Sequence, residues 1–429
     1  MIDTRARAGE DRPQAMPREA DPWAGRFVVG VVCAAVALTP LLVPTGPGNG
    51  GPDDVLILAA IVVAFVWMGS TRQVARLPYG LAVGVMLFAG TVSTMIGPAR
   101  GLGALALSKD VLLLGWAAAA ANVGRSSRGL RAVVATMSWS SIAWAALLLV
   151  AVASGNNTIA GITARTGART SLTFGDPNLA ANYFFVSIMV VWASGVPRRR
   201  AVRIGGIALL VTALVLTGSN GGLLSLAVGT AFAGATLLAR RIGVIGSVAV
   251  LFVAAGLVAG ASAFVHPLAI EQRIRGSSPR VVADSVGRQR QSVGDRAMLL
   301  RETRSLYAQT GLVGTLLGEG PGSTETRLIE EQARFPKEAH DDYAAALVER
   351  GVIGFLGLLL LIGSVGARTW SIVSAPLDDG YAAVIPKPAA LLGGVLGMAV
   401  AAGIYEVLHF RHLWTLLAVI AATHLWGRR

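Results

Sequence analysis

The feature that most restricts the fold of this chain is a series of long apolar stretches separated by short polar connections. A helix needs about 20 mostly apolar residues to cross a bilayer, and in hydrocarbon only helices and closed barrels satisfy every backbone group. The stretches are long and unbroken, and 54% of the 429 residues are hydrophobic against 14% charged. This pattern excludes a water-soluble core and predicts an all-α polytopic membrane protein.

Hydropathy predicts about twelve transmembrane helices along the chain. They cover residues 27–43, 55–69, 77–96, 103–123, 130–153, 178–195, 202–218, 221–239, 242–265, 344–367, 388–407 and 413–427. Residues 27–265 thus carry helices one to nine, and residues 343–429 carry helices ten to twelve. Residues 1–26 mix both charge signs and lead into the first apolar stretch without a small-x-small cleavage site. We expect a cytoplasmic tail and an uncleaved first helix.

The distribution of basic residues predicts the orientation, because Lys and Arg in short connections stay on the cytoplasmic side. With the N-terminus inside, the inside connections carry Arg72, Arg76, Arg125, Arg128, Arg131, Arg198, Arg199, Arg200, Arg203, Arg240, Arg241, Arg368, Lys387, Arg428 and Arg429. The short outside connections carry only Arg100, Arg165, Arg169 and Arg411. Both termini are therefore predicted to be cytoplasmic. Orientation also accounts for the net charge of +13, and no nucleic-acid partner is expected.

One long hydrophilic loop, residues 266–342, is then predicted to lie outside the cytoplasm. It holds eleven Lys or Arg and eleven Asp or Glu, which is typical of a small folded cap. Residues 295–309 predict an amphipathic helix on the membrane face, and residues 324–333 predict a second helix after a glycine-rich turn. The predicted apolar stripe of the first helix consists of Ala297, Leu300, Thr303 or Arg304, and Tyr307.

The return of this loop to the membrane contains a group that can exchange a proton near neutral pH, His340. Asp341 or Asp342 next to it could fix its tautomer and raise its basicity, which predicts a general base. The alternative is that His340 is an interfacial residue and Asp341 caps the following helix. Gly351 and Gly354 share a face of that helix and allow close packing.

Arginines outside the cytoplasm are candidates for binding a lipid-linked diphosphate, because a guanidinium stays charged and grips phosphate oxygens in pairs. The candidates are Arg165, Arg169, Arg296, Arg301 and Arg304. The alternative for each is an ordinary surface ion pair. Asp176 and Asn178 precede and open the sixth predicted helix, where they could hold a sugar hydroxyl or simply cap the helix.

Lys109 and Asp110 lie inside the fourth predicted helix, where ionisable groups are costly and suggest a function. They support an alternative of a different class, a polytopic transporter or a flippase of lipid-linked glycans. Against this, the two halves of the chain show no inverted repeat, although many secondary transporters contain one.

Four motifs resemble, in order, those of the O-antigen ligase and O-antigen polymerase superfamily of bacterial envelope proteins. They are Phe174-Gly175-Asp176-Pro177-Asn178-Leu179-Ala180, Gly294-Asp295-Arg296, Gly318-Glu319-Gly320-Pro321-Gly322, and His340-Asp341 followed by Gly351 and Gly354. One position departs from the family pattern, since Asn220 stands where many members have arginine in a Ser-Arg-Gly turn.

The resemblance implies a membrane-embedded glycosyltransferase of the bacterial cytoplasmic membrane, which transfers a glycan from a polyprenyl-diphosphate carrier to an acceptor hydroxyl outside. The acceptor would be a glycolipid for a ligase or the growing glycan for a polymerase. His340 and Asp341 would be the catalytic pair. Substrate binding would fall to Arg296, Arg165, Arg169, Asn178, Asp176, Gly320 and Arg301. Neither a metal ion nor a cofactor is expected.

Overall fold

The computed structural model describes residues 22–43, 50–163, 169–264, 289–332 and 339–428. Within these ranges the chain is all-α, as predicted, and its only strand-like pairing is an isolated bridge between Leu377 and Arg428. The predicted N-terminal tail falls almost wholly outside the described residues.

Sixteen α-helices follow one another in the described ranges. They are α1 (Pro22–Leu38), α2 (Pro52–Ser70), α3 (Gly80–Ile96), α4 (Arg100–Val123), α5 (Ser127–Ala153), α6 (Asn157–Ala160), α7 (Pro177–Ser194), α8 (Arg200–Leu216), α9 (Asn220–Phe264), α10 (Gln289–Gln309), α11 (Leu312–Leu317), α12 (Ser323–Glu330), α13 (Asp342–Ser374), α14 (Asp379–Ala382), α15 (Ala389–Ala402) and α16 (Arg411–Trp426).

Among the residues that the structure describes, five helical stretches are long and apolar enough to cross a membrane, judged by length and composition. They are Pro52–Ser70, Arg100–Val123, Ser127–Ala153, Asn220–Gly243 and Asp342–Ser374. Shorter apolar helices cover Gly25–Leu38, Gly80–Ile96 and Ala389–Ala402. Large apolar side chains such as Val55, Leu81 and Val150 are exposed on these helices, as expected for a surface that faces lipid. The chain is a multi-pass membrane protein, while the count of twelve crossings stays a prediction.

Helix α9 contains the two helices expected over 221–239 and 242–265, which meet at a kink rather than at a separate connection. Its continuity is interrupted only at Gly243, whose φ of 79° and ψ of 169° are not helical. Glycine alone adopts this region readily, so the chain bends here without a separate connection.

The centre of the bundle is α7, in which every residue except Asn178 and Trp192 is buried. A helix that is apolar all round is expected to be enclosed by other helices. Helices α9 and α15 pack closely through small residues, since a Cβ on Gly229 would lie 2.7 Å from the Gly393 carbonyl oxygen.

Polar contacts gather at the two ends of the bundle. One end, called the His340 end, contains the N-termini of α2, α7, α9, α13 and α16, and it holds the pairs Arg411–Asp54 and Asp342–Val407. The opposite end holds contacts such as Arg125–Gln73, Tyr381–Gly124, Lys387–Ala193 and Arg240–Val373. Each of these contacts joins segments that the arginine distribution assigns to one side of the membrane.

Candidate active site

His340 lies immediately before α13 and is exposed at the His340 end. Its backbone is left-handed, with φ at 51°, a conformation that few non-glycine residues adopt. Asp341 is the N-cap of α13, because its Oδ1 accepts hydrogen bonds from the amides of Tyr343 at 2.8 Å and Ala344 at 3.1 Å. Asp341 thus has the capping role that the sequence gave as an alternative, and the cap fixes where His340 leaves the helix.

The next two residues fasten the start of α13 to its neighbours. The Asp342 side chain is buried, and its Oδ2 accepts a hydrogen bond from the Val407 amide at 2.8 Å. The Tyr343 hydroxyl donates to the Ala399 carbonyl at 2.8 Å. His340 is therefore held on an anchored helix end rather than on a loose loop.

Helix α13 is broken at Gly351, which has φ 63° and ψ −170°. The break leaves carbonyl groups without helical partners. The Val348 carbonyl accepts from the Glu319 amide at 3.1 Å, and the Glu349 carbonyl accepts from the Gly320 amide at 2.9 Å. The glycine-rich turn before α12 therefore closes over the break. This gives Gly320, predicted to bind substrate, a backbone role in shaping α13.

Only glycine fits this junction. Gly318 and Gly320 have φ values of 83° and 103°, which side chains rarely allow. A Cβ on Gly351 would overlap the backbone of Leu316 and Gly318.

Two charged residues beside the break were not singled out in the sequence. Arg350 Nη2 lies 2.6 Å from Asp110 Oδ2 on α4, and both side chains are less than a tenth exposed. Glu349 Oε1 accepts from the Thr324 hydroxyl at 2.9 Å. These contacts tie the N-terminal part of α13 to α4 and α12. An arginine in an apolar helix, read together with Asp110, was the signal that could have identified the pair.

A second cluster brings together three predicted site residues. Arg169 Nε donates to the Thr217 carbonyl at 2.8 Å, and its Nη2 donates to Asn178 Oδ1 at 3.1 Å. The Ser219 hydroxyl donates to the same oxygen at 2.9 Å. Asp176 caps α7, since its Oδ1 accepts from the Asn178 amide at 2.5 Å.

Arg169 thereby places a guanidinium at the turn from α8 to α9, next to Asn220, the first residue of α9. The contacts with Thr217 and Asn178 hold the guanidinium in place.

The connection 403–410 lies between this cluster and His340. Gly403 is near the Tyr343 ring, and Val407 binds Asp342, which fixes one side of the connection to α13. Tyr405 packs on the other side against Gly221, where a Cβ would overlap the tyrosine ring. The connection thus joins the start of α13 to the start of α9. Tyr405 was not singled out in the sequence.

A family model described as O-antigen ligase matches residues 205–359. This match supports the resemblance of the chain to the O-antigen ligase and polymerase superfamily. The matched ligase segment runs from α8 into α13 and contains Gly320, His340 and the break at Gly351. Arg169 and Asn178 lie outside it. No curated protein matches the chain.

The remaining predicted site residues are Arg165, Arg296 and Arg301. Arg165 lies outside the described residues. Arg296 and Arg301 both lie on α10, which packs against α13, and the Arg301 side chain is exposed. Within the described ranges, no group of three or more His, Cys, Asp or Glu could hold a metal ion.

His409 lies in the 403–410 connection, outside the apolar helices. Burial of most of its ring lowers the pKa of His409 to about 4. The positive charges of Lys109, Arg350 and Arg411 lower this pKa further, whereas Asp110 opposes them. The imidazole is therefore neutral at pH 7.

We expect this histidine to make folding sensitive to acid. The unfolded chain binds a proton at a pKa of about 6.5, above the folded value, so stability is full above that pH and falls as pH drops toward 4. Thermal unfolding between pH 7 and pH 5 should show a smaller loss of Tm for His409→Gln than for the wild type. Equal losses in the two proteins would contradict a partly buried, neutral His409.

Proposed function

We propose that this protein transfers a glycan from a polyprenyl-diphosphate carrier to an acceptor hydroxyl on the outer face of the bacterial cytoplasmic membrane. The observation that carries the proposal is the position of His340, exposed on the anchored end of α13, within a segment that matches O-antigen ligases. The Arg169 cluster at the same end adds the positive charge that a diphosphate requires.

In the proposed reaction the acceptor oxygen attacks the first sugar carbon while His340 accepts the hydroxyl proton. The bond from that carbon to the diphosphate breaks, and polyprenyl diphosphate leaves with the electron pair. Arg169, together with Arg296, stabilises the negative charge that develops on the leaving group. A single displacement inverts the sugar carbon. Trapping a covalent glycosyl-protein would contradict it.

The orientation belongs to the proposal as well. The His340 end would lie outside the cytoplasm, and both termini inside. The polar contacts at the two ends of the bundle support this arrangement. Each contact joins two connections that the arginine distribution places on the same side of the membrane.

Reconstitution tests the proposal directly. The protein in liposomes is given a polyprenyl-diphosphate glycan, and release of polyprenyl diphosphate is measured with and without acceptor. We expect release only when an acceptor glycan or glycolipid is present. Lengthening of the donor glycan itself indicates a polymerase, and transfer to a different lipid indicates a ligase. If folded protein released no carrier with either kind of acceptor, the proposed function would be wrong.

Arg169→Ala should reduce kcat/KM for the lipid-linked donor by about 10²-fold, as expected for loss of one fixed donor to developing charge. Arg169→Lys keeps the charge but cannot make paired hydrogen bonds, so its kcat/KM should lie between those of the wild type and Arg169→Ala. The measurement is initial rate against donor concentration. Arg100→Ala is the matched control, because Arg100 is an exposed arginine at the start of α4. An effect of equal size for both alanine variants would exclude a specific role for Arg169.

A further inference from the structure

Three large apolar side chains on α11 are exposed next to one another. Leu312, Val313 and Leu316 have 77%, 58% and 44% of their surface exposed. Leu316 follows the other two by four and three residues, which places all three on one face of the helix. The preceding helix α10 differs, because its exposed side chains include Arg301 and Arg304. The apolar face therefore begins with α11, and a contiguous patch of this kind marks a surface that contacts another apolar surface.

Helix α11 is fixed against the ends of two apolar helical stretches. It packs against α3 and α13. A Cβ on Gly351, at the break in α13, would overlap the backbone of Leu316. A Cβ on Gly97, the C-cap of α3, would overlap the Glu319 carbonyl in the turn after α11. The end of α3, the break in α13 and α11 therefore lie at one level of the bundle.

The depth of α11 follows from the lengths of these two stretches. Helix α3 has 17 residues, none of them charged, and is roughly 26 Å long. Residues 351–367 of α13 also carry no charge and cover roughly 26 Å. Each stretch nearly matches the hydrocarbon core of a bilayer, which is about 30 Å thick. Helix α11 meets both stretches at their ends nearest His340, so it lies at the boundary between hydrocarbon and headgroups.

The exposed face of α11 continues a surface that faces lipid. On α3, Leu81, Phe88 and Met95 are each more than half exposed. They are seven residues apart, so they form one stripe along the helix up to the end that α11 contacts. On α13, Leu356 is also more than half exposed and lies just past the break. Both helices that hold α11 thus expose apolar side chains near it.

We propose that α11 is a membrane anchor, and that Leu312, Val313 and Leu316 insert into the lipid chains of the leaflet at the His340 end. Lipid is the occupant because α11 lies at the hydrocarbon boundary and because its face continues the lipid-facing stripe of α3. Large apolar side chains gain free energy when they leave water for this region. The anchor holds the turn with Gly318 and Gly320 against the break in α13. The inference goes beyond the proposed function, since contact with lipid does not require glycan transfer.

Fluorescence quenching tests whether α11 reaches the lipid chains. The single cysteine, Cys33, is replaced by alanine, and a fluorophore is attached through Leu312→Cys in liposomes whose lipids carry bromine near the top of their chains. Ser305→Cys is the matched control, because Ser305 is exposed on α10 next to the exposed Arg304. We expect brominated lipid to quench the Leu312 label and a water-soluble quencher to act on the Ser305 label.

Two results of this experiment would contradict the anchor. If brominated lipid quenches both labels equally weakly, α11 lies in water. If a bifunctional thiol reagent links Leu312→Cys of two copies and lipid does not quench the label, a second copy covers the face instead of lipid.

A charge on the exposed face tests the same anchor by its effect on local stability. In liposomes, Leu312→Asp should speed amide hydrogen exchange of residues 311–317 by about tenfold, the effect of losing the contact of one leucine with hydrocarbon. Ile329→Asp is the matched control, because Ile329 is also more than half exposed but is followed by the exposed Glu330 and Glu331. It should leave exchange in residues 311–317 unchanged. Equal exchange in Leu312→Asp and the wild type would show that lipid does not hold α11, whether or not the protein transfers glycan.

Discussion

Replacing His340 with alanine is expected to lower glycan transfer by about 10²- to 10⁴-fold, the usual contribution of a positioned general base. The effect should appear in kcat, because the acceptor proton is transferred only in the reacting complex. His340 is exposed, so its loss leaves no cavity and Tm should not change. Release of polyprenyl diphosphate in liposomes and thermal unfolding in detergent measure the two quantities.

Two further variants separate chemistry from structure. His424→Ala makes the same change in the last turn of α16, at the opposite end of the bundle, and should retain full activity. Asp341→Asn keeps a good N-cap but removes the charge next to His340. If Asp341 acts only as a cap, this variant retains both Tm and rate. A His340→Ala protein that transfers glycan at the wild-type rate would remove the histidine from the mechanism.

The helical framework could be predicted because its cause is local. Each apolar stretch must form a helix in hydrocarbon, whatever its neighbours are. The predicted boundaries of α5 and α7 differ from the observed ones by only a few residues. The contacts at the two ends of the bundle agree with the arginine distribution for a similar reason, since charge restricts each connection separately.

The predicted apolar stripe of the loop helix agrees with the observed one at Thr303, whereas its other buried positions lie one residue from Leu300 and Tyr307. The buried residues of α10 are Leu299, Thr303 and Leu306, which pack with Leu328 of α12. Leu300 and Tyr307, predicted to belong to the apolar stripe, are only partly buried. The two stripes have the same helical spacing, so the sequence does not distinguish them. The choice depends on α12, a partner that sequence periodicity does not identify.

The break in α13 could not be predicted as a break. Glycine is frequent in membrane helices, and Gly351 and Gly354 were expected to allow close helix packing. Gly354 does lie in a regular helical stretch, whereas Gly351 adopts a left-handed conformation. The difference arises because the amides of Glu319 and Gly320 satisfy the carbonyls that the break releases. Helix breaks at membrane depth require such a protein partner.

The pair of Arg350 and Asp110 also changes the interpretation of Asp110. An acid inside an apolar helix suggested a transport pathway, but the described structure gives this acid a partner on α13 at 2.6 Å. The pair holds the short segment between His340 and the break against α4. The charge of Asp110 is therefore explained if the pair keeps His340 in position, and no transport pathway through the bundle is needed.

Asp110→Ala should destabilise the protein by about 3–5 kcal/mol, because it leaves the Arg350 charge buried without its counterion. Arg350→Ala should have a similar effect through Asp110. The double variant Asp110→Leu with Arg350→Met replaces both charges by apolar groups and should recover most of the lost stability. Thermal unfolding and membrane abundance measure these differences. If the stability lost in the double variant equals the sum of the losses in the two single variants, the two charges do not stabilise each other.

Transfer assays on the same double variant then distinguish the two interpretations of Asp110. If the pair only positions α13, the apolar replacement should keep glycan transfer within about tenfold of the wild type, since packing can hold the helix where the charges did. His340 would still stand on the Asp341 cap, and the carbonyls at the break would keep their partners. If the double variant is folded and abundant but inactive, lost stability cannot explain the lost activity. The two charges would then take part in the function themselves.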